Sequence, residues 1–345
     1  MNPPSVMLRY AHDRSLGQLN VNRLLVVSRA DIASVRLGEA LLKVTRWEEA
    51  SVLEGGHVHR AGSHRMWWLQ DRVLHEDLID ERFYAGTGFK ADEVLFLSRH
   101  AAASGRPCLT VHPIGVLDAG PPDVQPQYGG RRGYCPPPAR SFSPWLDLLE
   151  AMGRKNGFPE GFTSSAEATH HGPWLTTPSV FIEVGSDLAA WESTPPAAFW
   201  ADVLCLGLGF TDTEDVTLTR LVDRVRNPPR LPRLVGIGGG HYAARHRDVA
   251  RKHEVLLGHI VPNWAFGDAR EDGSFDPEHL RVCLAAAVTA TRSAAADQEV
   301  VAYLDRKSMK AAARQQIADG LDELGVRLIR SKDLRPRELA YASES

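Results

Sequence analysis

Short, wholly apolar segments alternate with helical stretches along this chain, and the alternation limits the folds that it can adopt. Residues 24–28 form such a segment, and residues 32–44 after it carry the apolar periodicity of a helix. A short apolar run of this kind is typical of a strand that is buried on both faces of a sheet. Similar runs follow at residues 93–98, 107–112, 179–186, 234–237 and 300–304. The sequence therefore predicts an α/β protein with a mostly parallel or mixed central sheet and helices on both faces.

The length of the chain allows one large α/β domain or two smaller ones, since 43% of its 345 residues are hydrophobic. We expect a polar leader over residues 1–22, a single domain over 23–335 and a tail over 336–345. Prolines and glycines crowd residues 118–140, which excludes a helix or a central strand there. This stretch is predicted to be a long loop or a lid, with a smaller subdomain or lid placed around residues 113–165. Further helices are expected at residues 145–152, 188–202, 281–295 and 310–324.

Charge and cysteine content limit the classes of protein to which this chain can belong. The net charge is −3, yet residues 220–256 hold nine Lys or Arg against three acidic residues, so we expect a phosphate-bearing partner near this stretch. The four cysteines are widely spaced without a C-x-x-C pair, which argues against a disulfide framework and a cysteine-based zinc module. No run reaches the roughly eighteen apolar residues of a membrane span, and no signal peptide is recognisable. We therefore expect a cytoplasmic protein with no membrane partner.

Several predicted strands end in residues that can carry chemistry. His100 and His112 each close one strand, Glu183 or Ser186 closes another, and His241 follows a fourth. In open α/β sheets, ligands bind beyond the carboxyl ends of the strands. We therefore expect these side chains to meet at one edge of the sheet. A single histidine at a strand end is more often structural than functional. His100 and His112 are therefore candidate site residues only because both lie at strand ends on the same side of the predicted sheet.

The densest group of functional side chains runs from Glu167 to Pro173 and holds a carboxylate, a hydroxyl and two imidazoles before a Gly-Pro pair. Glu167, His170 and His171 suit metal ligands, or a general base with an orienting carboxylate, because an imidazole needs a partner that fixes its tautomer. The spacing is not that of the helical H-E-x-x-H motif. The competing interpretation is a pair of histidines that only caps a loop by hydrogen bonding.

A second group consists of Gly238, Gly239 and Gly240, followed by His241 and Tyr242. Glycines permit positive φ and let backbone N–H groups approach an anion or a carbonyl oxygen. The stretch is not a P-loop, because no Gly-Lys-Ser/Thr follows, and the chain has no G-x-S-x-G nucleophile elbow. The alternative is a tight turn with an exposed histidine. Histidines in the polar, irregular stretch near the N-terminus are expected to be solvated, namely His57, His59 and His64.

The stretch from Glu167 to Pro173, residues 181–186 with Trp191, and residues 238–243 together resemble the D-aminoacyl-tRNA deacylase family of the archaeal and plant type, the second deacylase family. Further matches follow in the family's order, so the resemblance extends from about residue 24 to residue 330. They lie at residues 27–34, 98–100, 109–112, 258–260 and 304–307, and at Arg314. The chain departs from the usual family pattern at Pro113, Ala244 and Arg306, which bears on the substrate range more than on the reaction class.

The resemblance implies a phosphorylase/hydrolase-like α/β fold and hydrolysis of the ester between a D-amino acid and the 3′-terminal ribose of tRNA, with Zn²⁺ as cofactor. His170, His171 and His241, with Glu167 or Glu183, are expected either to hold the zinc through the three histidines or to act as a general base. The amides of Gly238, Gly239 and Gly240 would stabilise the oxyanion or seat a phosphate. The partner is tRNA with its aminoacylated 3′ end, and His100, His112 and Tyr242 are expected to bind this substrate. The tRNA backbone is expected to contact Arg245, Arg247, Arg251, Lys252, Lys307 and Lys310.

Two other functions remain open from the sequence. A zinc-dependent peptidase or amidase on a related fold could use the same histidines and glutamates, but it would cleave amides and ignore tRNA. A non-catalytic RNA-binding protein would bind without turnover, with the histidines purely structural. The basic stretch favours RNA over peptide, and the resemblance along the whole chain favours the deacylase over both. The sequence leaves a monomer and a dimer equally open.

Overall fold

The computed structural model of the protein describes residues 9–10, 21–118, 120 and 124–337. The strands are β1 (Arg9–Tyr10), β2 (Arg23–Ser28), β3 (Glu48–Leu53), β4 (Gly56–Ala61), β5 (His64–Leu69), β6 (Glu93–Ala101), β7 (Cys108–His112), β8 (Thr163–Ala166), β9 (Ser179–Ser186), β10 (Thr211–Asp212), β11 (Arg233–Ile237), β12 (Leu256–Val261), β13 (Val300–Leu304) and β14 (Arg327–Ile329). The helices are α1 (Ile32–Val44), α2 (Ile79–Thr87), α3 (Phe142–Asn156), α4 (Leu188–Glu192), α5 (Thr194–Leu208), α6 (Val216–Arg226), α7 (Ala244–Lys252), α8 (Pro277–Ala295) and α9 (Ala311–Glu323). Short 3₁₀ turns lie at Val73–His75, Asn263–Phe266, Arg306–Ser308 and Ser331–Asp333.

The larger sheet has eight strands in the order β3-β4-β5-β2-β6-β9-β7-β8. Its centre is parallel, from β5 through β2 and β6 to β9. The strands β3, β4 and β5 form an antiparallel meander at one edge, and β7 runs antiparallel to β9 near the other. The predicted α/β class with a mixed sheet is confirmed.

A second sheet of four parallel strands has the order β12-β11-β13-β14. Strand β11 precedes the glycines at residues 238–240, so the glycine-rich group belongs to this smaller sheet. The stretch from Glu167 to Pro173 follows β8 of the larger sheet. The two groups of functional side chains therefore come from different sheets, and not from one sheet edge as the sequence suggested.

The central strands are buried on both faces, which explains their unbroken apolar composition. In β2, Leu25 and Val27 pack into the core that contains α1, α3 and α5. The alternate residues Leu24 and Val26 point to the opposite face, where they pack with Phe83 of α2. The period of two along a strand thus divides one apolar run between two layers of helices.

One predicted helix, at residues 188–202, is wrong in its extent. The structure has α4, which ends at Glu192, and a separate α5 that continues to Leu208. Pro195 and Pro196 lie in the first turn of α5, where a residue without an N–H group loses no helical hydrogen bond. The other predicted helices are present, and α3 and α8 extend beyond their predicted bounds.

The region of His57, His59 and His64 was predicted to be irregular, but it forms the meander of β3, β4 and β5. The prediction that His64 is solvated is wrong. Its Nε2 donates to the carbonyl of Leu208 at 3.0 Å, and its Nδ1 accepts from the backbone of Arg23 at 3.3 Å. Burial lowers the pKa of His64 to about 3, so the ring is neutral. Strands β3 and β4 are rich in polar residues and offer no apolar run, whereas the buried apolar residues 66–69 of β5 were a signal that the prediction missed.

Residues 113–141, between β7 and α3, contain no helix in their described part, yet they bury Val116 and Leu117. Of the predicted leader, β1 pairs with β10, and the rest of residues 1–20 lies outside the described residues. Residues 338–345 of the predicted tail are also outside them. No helix in the described part of the chain is long and apolar enough to cross a membrane.

A buried ion pair joins the starts of β2 and β6. Arg23 Nε lies 3.0 Å from Glu93 Oε2, with 1% and 3% of the two side chains exposed. Glu93 also accepts from the backbone and the hydroxyl of Ser141, at 3.0 and 2.6 Å. Arg23 donates to the carbonyl of Val225 at the end of α6. The pair thus connects the sheet to two helices.

Replacement of this carboxylate should destabilise the fold strongly. Glu93→Ala leaves the Arg23 charge buried without a counter-ion, which costs about 3–5 kcal/mol in comparable pairs. We expect a fall of that order in the free energy of unfolding, measured by urea denaturation at pH 7. Glu48→Ala, which removes the exposed partner of Arg60, is the control and should cause no measurable change. Equal stability of the two variants would contradict this assignment.

Candidate active site

The segment that carries Glu167, His170 and His171 lies between the two sheets. It leaves β8 at Ala166, and its successive backbone N–H groups are bound on both sides. Glu167 donates to the carbonyl of Val111 (3.2 Å), Ala168 to that of His241 (2.8 Å) and Thr169 to that of Ile260 (2.8 Å). The first acceptor belongs to the larger sheet, whereas the other two belong to the smaller sheet and its glycine-rich loop. The segment therefore joins the sheets.

His259 holds this segment in place through a chain of hydrogen bonds. The Thr169 hydroxyl accepts from the Ile260 backbone N–H and donates to His259 Nδ1, both at 3.0 Å. His259 Nε2 donates to the carbonyl of Pro136 in the long loop, also at 3.0 Å. Burial lowers the pKa of His259 to about 4, so the ring remains neutral, as this pair of hydrogen bonds requires.

Glu167 is fully buried between two imidazoles that come from different sheets. Its Oε1 lies 3.0 Å from His100 Nδ1 at the end of β6, and its Oε2 lies 3.1 Å from His241 Nε2 after the glycines. Burial opposes ionisation, but these two histidines outweigh it and hold the pKa of Glu167 well below its ordinary value. The group is therefore an anion that contacts one ring from each sheet.

His100 connects this anion to a phenol. Its Nε2 lies 3.0 Å from the Tyr242 hydroxyl, and its backbone carbonyl accepts from the Trp191 indole at 2.8 Å. Burial alone would lower the pKa of His100, but Glu167 raises it above its ordinary value. Gly185 makes room for the ring, because a Cβ there would lie 2.8 Å from His100 Cδ2.

Three further histidines present the same tautomer. His112, His170 and His171 each place Nδ1 against a backbone carbonyl, of Pro113 (3.1 Å), Ala168 (2.8 Å) and Gly172 (2.8 Å). A carbonyl can only accept, so each Nδ1 carries the proton and each Nε2 is left for another partner. One nitrogen of each ring lies within 4.8 Å of one nitrogen of the other two.

Burial lowers the pKa of all three rings, but the net shift differs between them. Burial lowers the pKa of His170 well below the ordinary value and that of His171 to about 3, so both are neutral. Burial also lowers the pKa of His112, but the nearby carboxylate of Glu183 outweighs it and raises the value. Neutral imidazoles with free Nε2 lone pairs suit metal ligands better than general bases.

Glu183 lies in the middle of β9, on the same face as these rings. It sits opposite Thr110 of β7, whose hydroxyl donates to Glu183 Oε2 at 3.3 Å. The same oxygen lies 3.5 Å from His112 Nε2 and 3.8 Å from His100 Nδ1. Burial raises the pKa of Glu183, although the two histidines oppose it. The centre therefore holds one ionised carboxylate and one that resists ionisation.

Five of these seven histidine and glutamate side chains line a cavity of about 610 Å³. Its floor includes His100, His170, His171, Glu183 and His241. One wall comes from the loop between β7 and α3, the stretch that the sequence predicted as a long loop or lid. The loop residues in that wall are Gly115, Val116, Leu117, Asp118, Pro126, Gln127, Tyr128, Gly129 and Arg132.

The glycine-rich loop adopts the predicted positive φ, at +97° for Gly238 and +89° for Gly239. The expectation that its amides receive an oxyanion or a phosphate does not hold for these two residues. Gly238 N–H donates to the Val261 carbonyl at 2.8 Å. Gly239 N–H donates to Asn263 Oδ1 and Ser308 Oγ, both at 3.0 Å. These two amides hold the loop in place, and only Gly240 keeps the predicted role open.

The structure places the predicted tRNA contacts unevenly. Arg247 is buried and binds Asp147 and Glu150 at 2.8 and 2.7 Å, so its assignment to a tRNA contact is wrong. Arg245 and Lys307 are exposed near the glycine-rich loop, but neither lines the cavity. Residues that the sequence analysis did not propose as site residues do line it, among them Asp31, Arg72, Arg99, Tyr128 and Trp264. The strand-end rule could have found Arg72 and Arg99, which follow or close β5 and β6.

The protein thus has a mixed α/β fold, and its site of five histidines and two glutamates lies at the junction of the two sheets. The sequence model of the D-aminoacyl-tRNA deacylase family matches residues 87–329. The chain belongs to this family, which confirms the resemblance noted from the motifs.

Two relatives and one solved structure support this family membership. A D-aminoacyl-tRNA deacylase of Arabidopsis thaliana is 34% identical over 318 residues, which cover 90% of this chain and 98% of the relative. One of Halorubrum lacusprofundi is 31% identical over 266 residues, but the chain spans only 51% of its length. A crystal structure described as a conserved protein of unknown function superimposes with a TM-score of 0.70 at 26% identity, covering 92% of this chain and 98% of the other.

The buried neutral His259 should make stability depend on pH. Between pH 6.5 and about 4, the unfolded chain takes up a proton at this residue while the folded chain does not. The free energy of unfolding therefore falls with falling pH, at up to about 1.4 kcal/mol per pH unit from this residue. We expect His259→Gln to be less stable at pH 7 but to lose stability less steeply down to pH 4.5, measured by urea denaturation. Parallel pH profiles for the two proteins would contradict this.

Proposed function

We propose that this protein hydrolyses the ester bond of D-aminoacyl-tRNA and releases the free D-amino acid and the tRNA. The observation that carries the proposal is the buried Glu167, which contacts two histidines beside a cavity, in a chain of this family. The Arabidopsis relative of this name matches along almost the whole of both chains, which supports transfer of the activity. An aminoacyl ester needs a deprotonated water and a donor for the oxyanion, and the centre offers residues for both.

His241 is the best-placed general base. Its Nε2 is buried against Glu167, while about a third of its side chain is exposed, so Nδ1 is the nitrogen left on the open side. When Nδ1 takes a proton from water, the adjacent Glu167 anion stabilises the imidazolium that forms. His241 comes from the smaller sheet and Glu167 from the connecting segment, so this dyad depends on the docking of both.

Tyr242 is our candidate for the oxyanion donor, because its hydroxyl contacts His100, which lines the cavity. His100 directs Nδ1 at Glu167, and in its protonated form its Nε2–H donates to the Tyr242 oxygen. The phenol then keeps its own O–H group for another acceptor, and 37% of the residue is exposed. An O–H group aimed at the carbonyl oxygen of the ester would stabilise the negative charge of the tetrahedral intermediate. This role replaces the one expected for the amides of Gly238 and Gly239.

The residues present also fit a zinc ion. His112 Nε2 is buried without a hydrogen bond, and the Nδ1–H groups of His112, His170 and His171 are held by carbonyls, as is usual for metal-ligating histidines. These three rings would hold the ion, so His112 takes the place that the sequence gave to His241. When bound, zinc would lower the pKa of a water molecule and polarise the ester carbonyl.

The first experiment is hydrolysis of D- and L-tyrosyl-tRNA by the purified protein, with and without chelator. We expect turnover of the D-ester only. Glu167→Gln should lower kcat at least about 100-fold, because general base catalysis contributes that much or more. Glu49→Gln is the matched control, since Glu49 contacts His57 at 3.1 Å on the surface and should retain full activity.

Other outcomes separate the rival functions. Cleavage of amides without action on tRNA would favour a peptidase or amidase, and RNA binding without turnover would favour a non-catalytic binding protein. An undiminished rate in a folded Glu167→Gln variant would remove this carboxylate from the mechanism.

Metal content tests the zinc assignment separately from activity. We expect His112→Ala and His171→Ala to purify with much less zinc than the parent protein, because each loses one of three ligands. His241→Ala should keep the metal although it loses hydrolysis. Elemental analysis of the three folded variants gives the answer, and full zinc content in both His112→Ala and His171→Ala would rule out this ligand set.

A further inference from the structure

Two large aromatic side chains stand exposed at the cavity. Tyr128 in the long loop is 59% exposed, Trp264 in the 3₁₀ turn after β12 is 50% exposed, and both line the cavity. Most side chains of this size bury most of their surface, as Trp67, Trp145 and Trp200 do here. In the described part of the chain, neither Tyr128 nor Trp264 stacks on another ring or a guanidinium. Their faces are open to a ligand.

Tyr128 through its own backbone, and Trp264 through the adjacent Asn263, are anchored to the segments that carry the site histidines. The Tyr128 carbonyl accepts from Gly172 N–H at 2.9 Å, next to His171. The Asn263 N–H donates to the Gly239 carbonyl at 2.9 Å, and the Asn263 side chain accepts from the Gly239 amide. The loop and the segment also lie too close for a side chain, since a Cβ on Gly172 would come within 2.2 Å of Gly130 N. The aromatic positions are thus fixed relative to the reacting groups.

The same cavity is lined by Arg72, Arg99 and Arg132 as well as by Asp31, Asp118 and Glu183. Asp31 caps α1 and accepts from the Arg99 backbone N–H, and Asp118 forms an ion pair with Arg132. Arg72 is exposed and has no ion-pair partner among the described residues. The Arg99 guanidinium lies 5.0 Å from the centre of the Trp191 ring, which holds it at the cavity wall. A ligand that offers both phosphates and flat rings matches this surface.

Resting on the proposed function, we propose that Tyr128 and Trp264 stack the unpaired bases at the 3′ end of the tRNA, and that Arg72 and Arg99 contact the phosphates between them. The ester lies on the terminal ribose, so the single-stranded end must cross the rim of the cavity to bring it to His241. Aromatic stacking with a nearby positive charge is how proteins hold single-stranded RNA without reading a duplex. The site would therefore bind the tRNA end even when it carries no amino acid.

Binding of an uncharged oligonucleotide tests this independently of turnover. The probe is a short single-stranded RNA that ends in CCA, titrated against the full protein by fluorescence anisotropy. We expect Tyr128→Ala and Trp264→Ala each to raise Kd roughly tenfold, and Trp264→Phe to stay near the parent value. Tyr134→Ala is the matched control, because Tyr134 belongs to the same loop and is 61% exposed but does not line the cavity. Arg72→Gln should lower the slope of log Kd against log salt concentration by about 0.7, because one phosphate contact is lost.

The outcomes distinguish this proposal from the proposed function. If the parent protein deacylates D-tyrosyl-tRNA but Tyr128→Ala and Trp264→Ala bind the RNA as well as Tyr134→Ala does, stacking is overturned and the activity stands. If neither ester is hydrolysed but these two variants lose RNA binding, the activity fails and the stacking site stands. Failure of the parent protein to bind the RNA at millimolar concentration would overturn the stacking site in either case.

Discussion

The structure depends on the hydrogen bonds that hold residues 166–171 between the two sheets. Amide groups of this segment donate to Val111 on one side and to His241 and Ile260 on the other. The segment therefore cannot follow one sheet without breaking bonds to the second. A fully buried carboxylate such as Glu167 would cost several kcal/mol in isolation, and here it is tolerated because one imidazole reaches it from each sheet. The site is therefore complete only when the two sheets are packed against each other.

The two carboxylates of the centre show how position decides protonation. Glu167 and Glu183 are both buried, so burial raises the pKa of each. Glu167 has two imidazole nitrogens within 3.1 Å and is held ionised, whereas the nearest imidazole nitrogen to Glu183 lies 3.5 Å away. Burial and the distance to the nearest imidazole thus shift the pKa values of two carboxylates of one site in opposite directions.

The sequence predicted the α/β class, the central strands and most of the centre, because apolar runs and strand-end residues are local signals. His112 reached the site although β7 runs antiparallel to β9, since Glu183 lies in the middle of its strand, opposite Thr110. Strands β3 and β4 of the meander were missed because they are rich in polar residues, whereas β5 holds a buried apolar run at residues 66–69 that the prediction overlooked. Local pattern also could not show that Arg247 is buried against two acids, nor that the amides of Gly238 and Gly239 already have acceptors.

The loop between β7 and α3 is attached to the rest of the molecule at separate points. Gly115 N–H donates to the His171 carbonyl, the Tyr128 carbonyl accepts from Gly172, and the Pro136 carbonyl accepts from His259. Between these points its side chains form a wall of the cavity without carrying the reacting groups. Loops of this kind tolerate changes of length and composition better than the elements that they connect. Changes in this loop would therefore alter the shape of the cavity, while the chemistry of the floor stays the same.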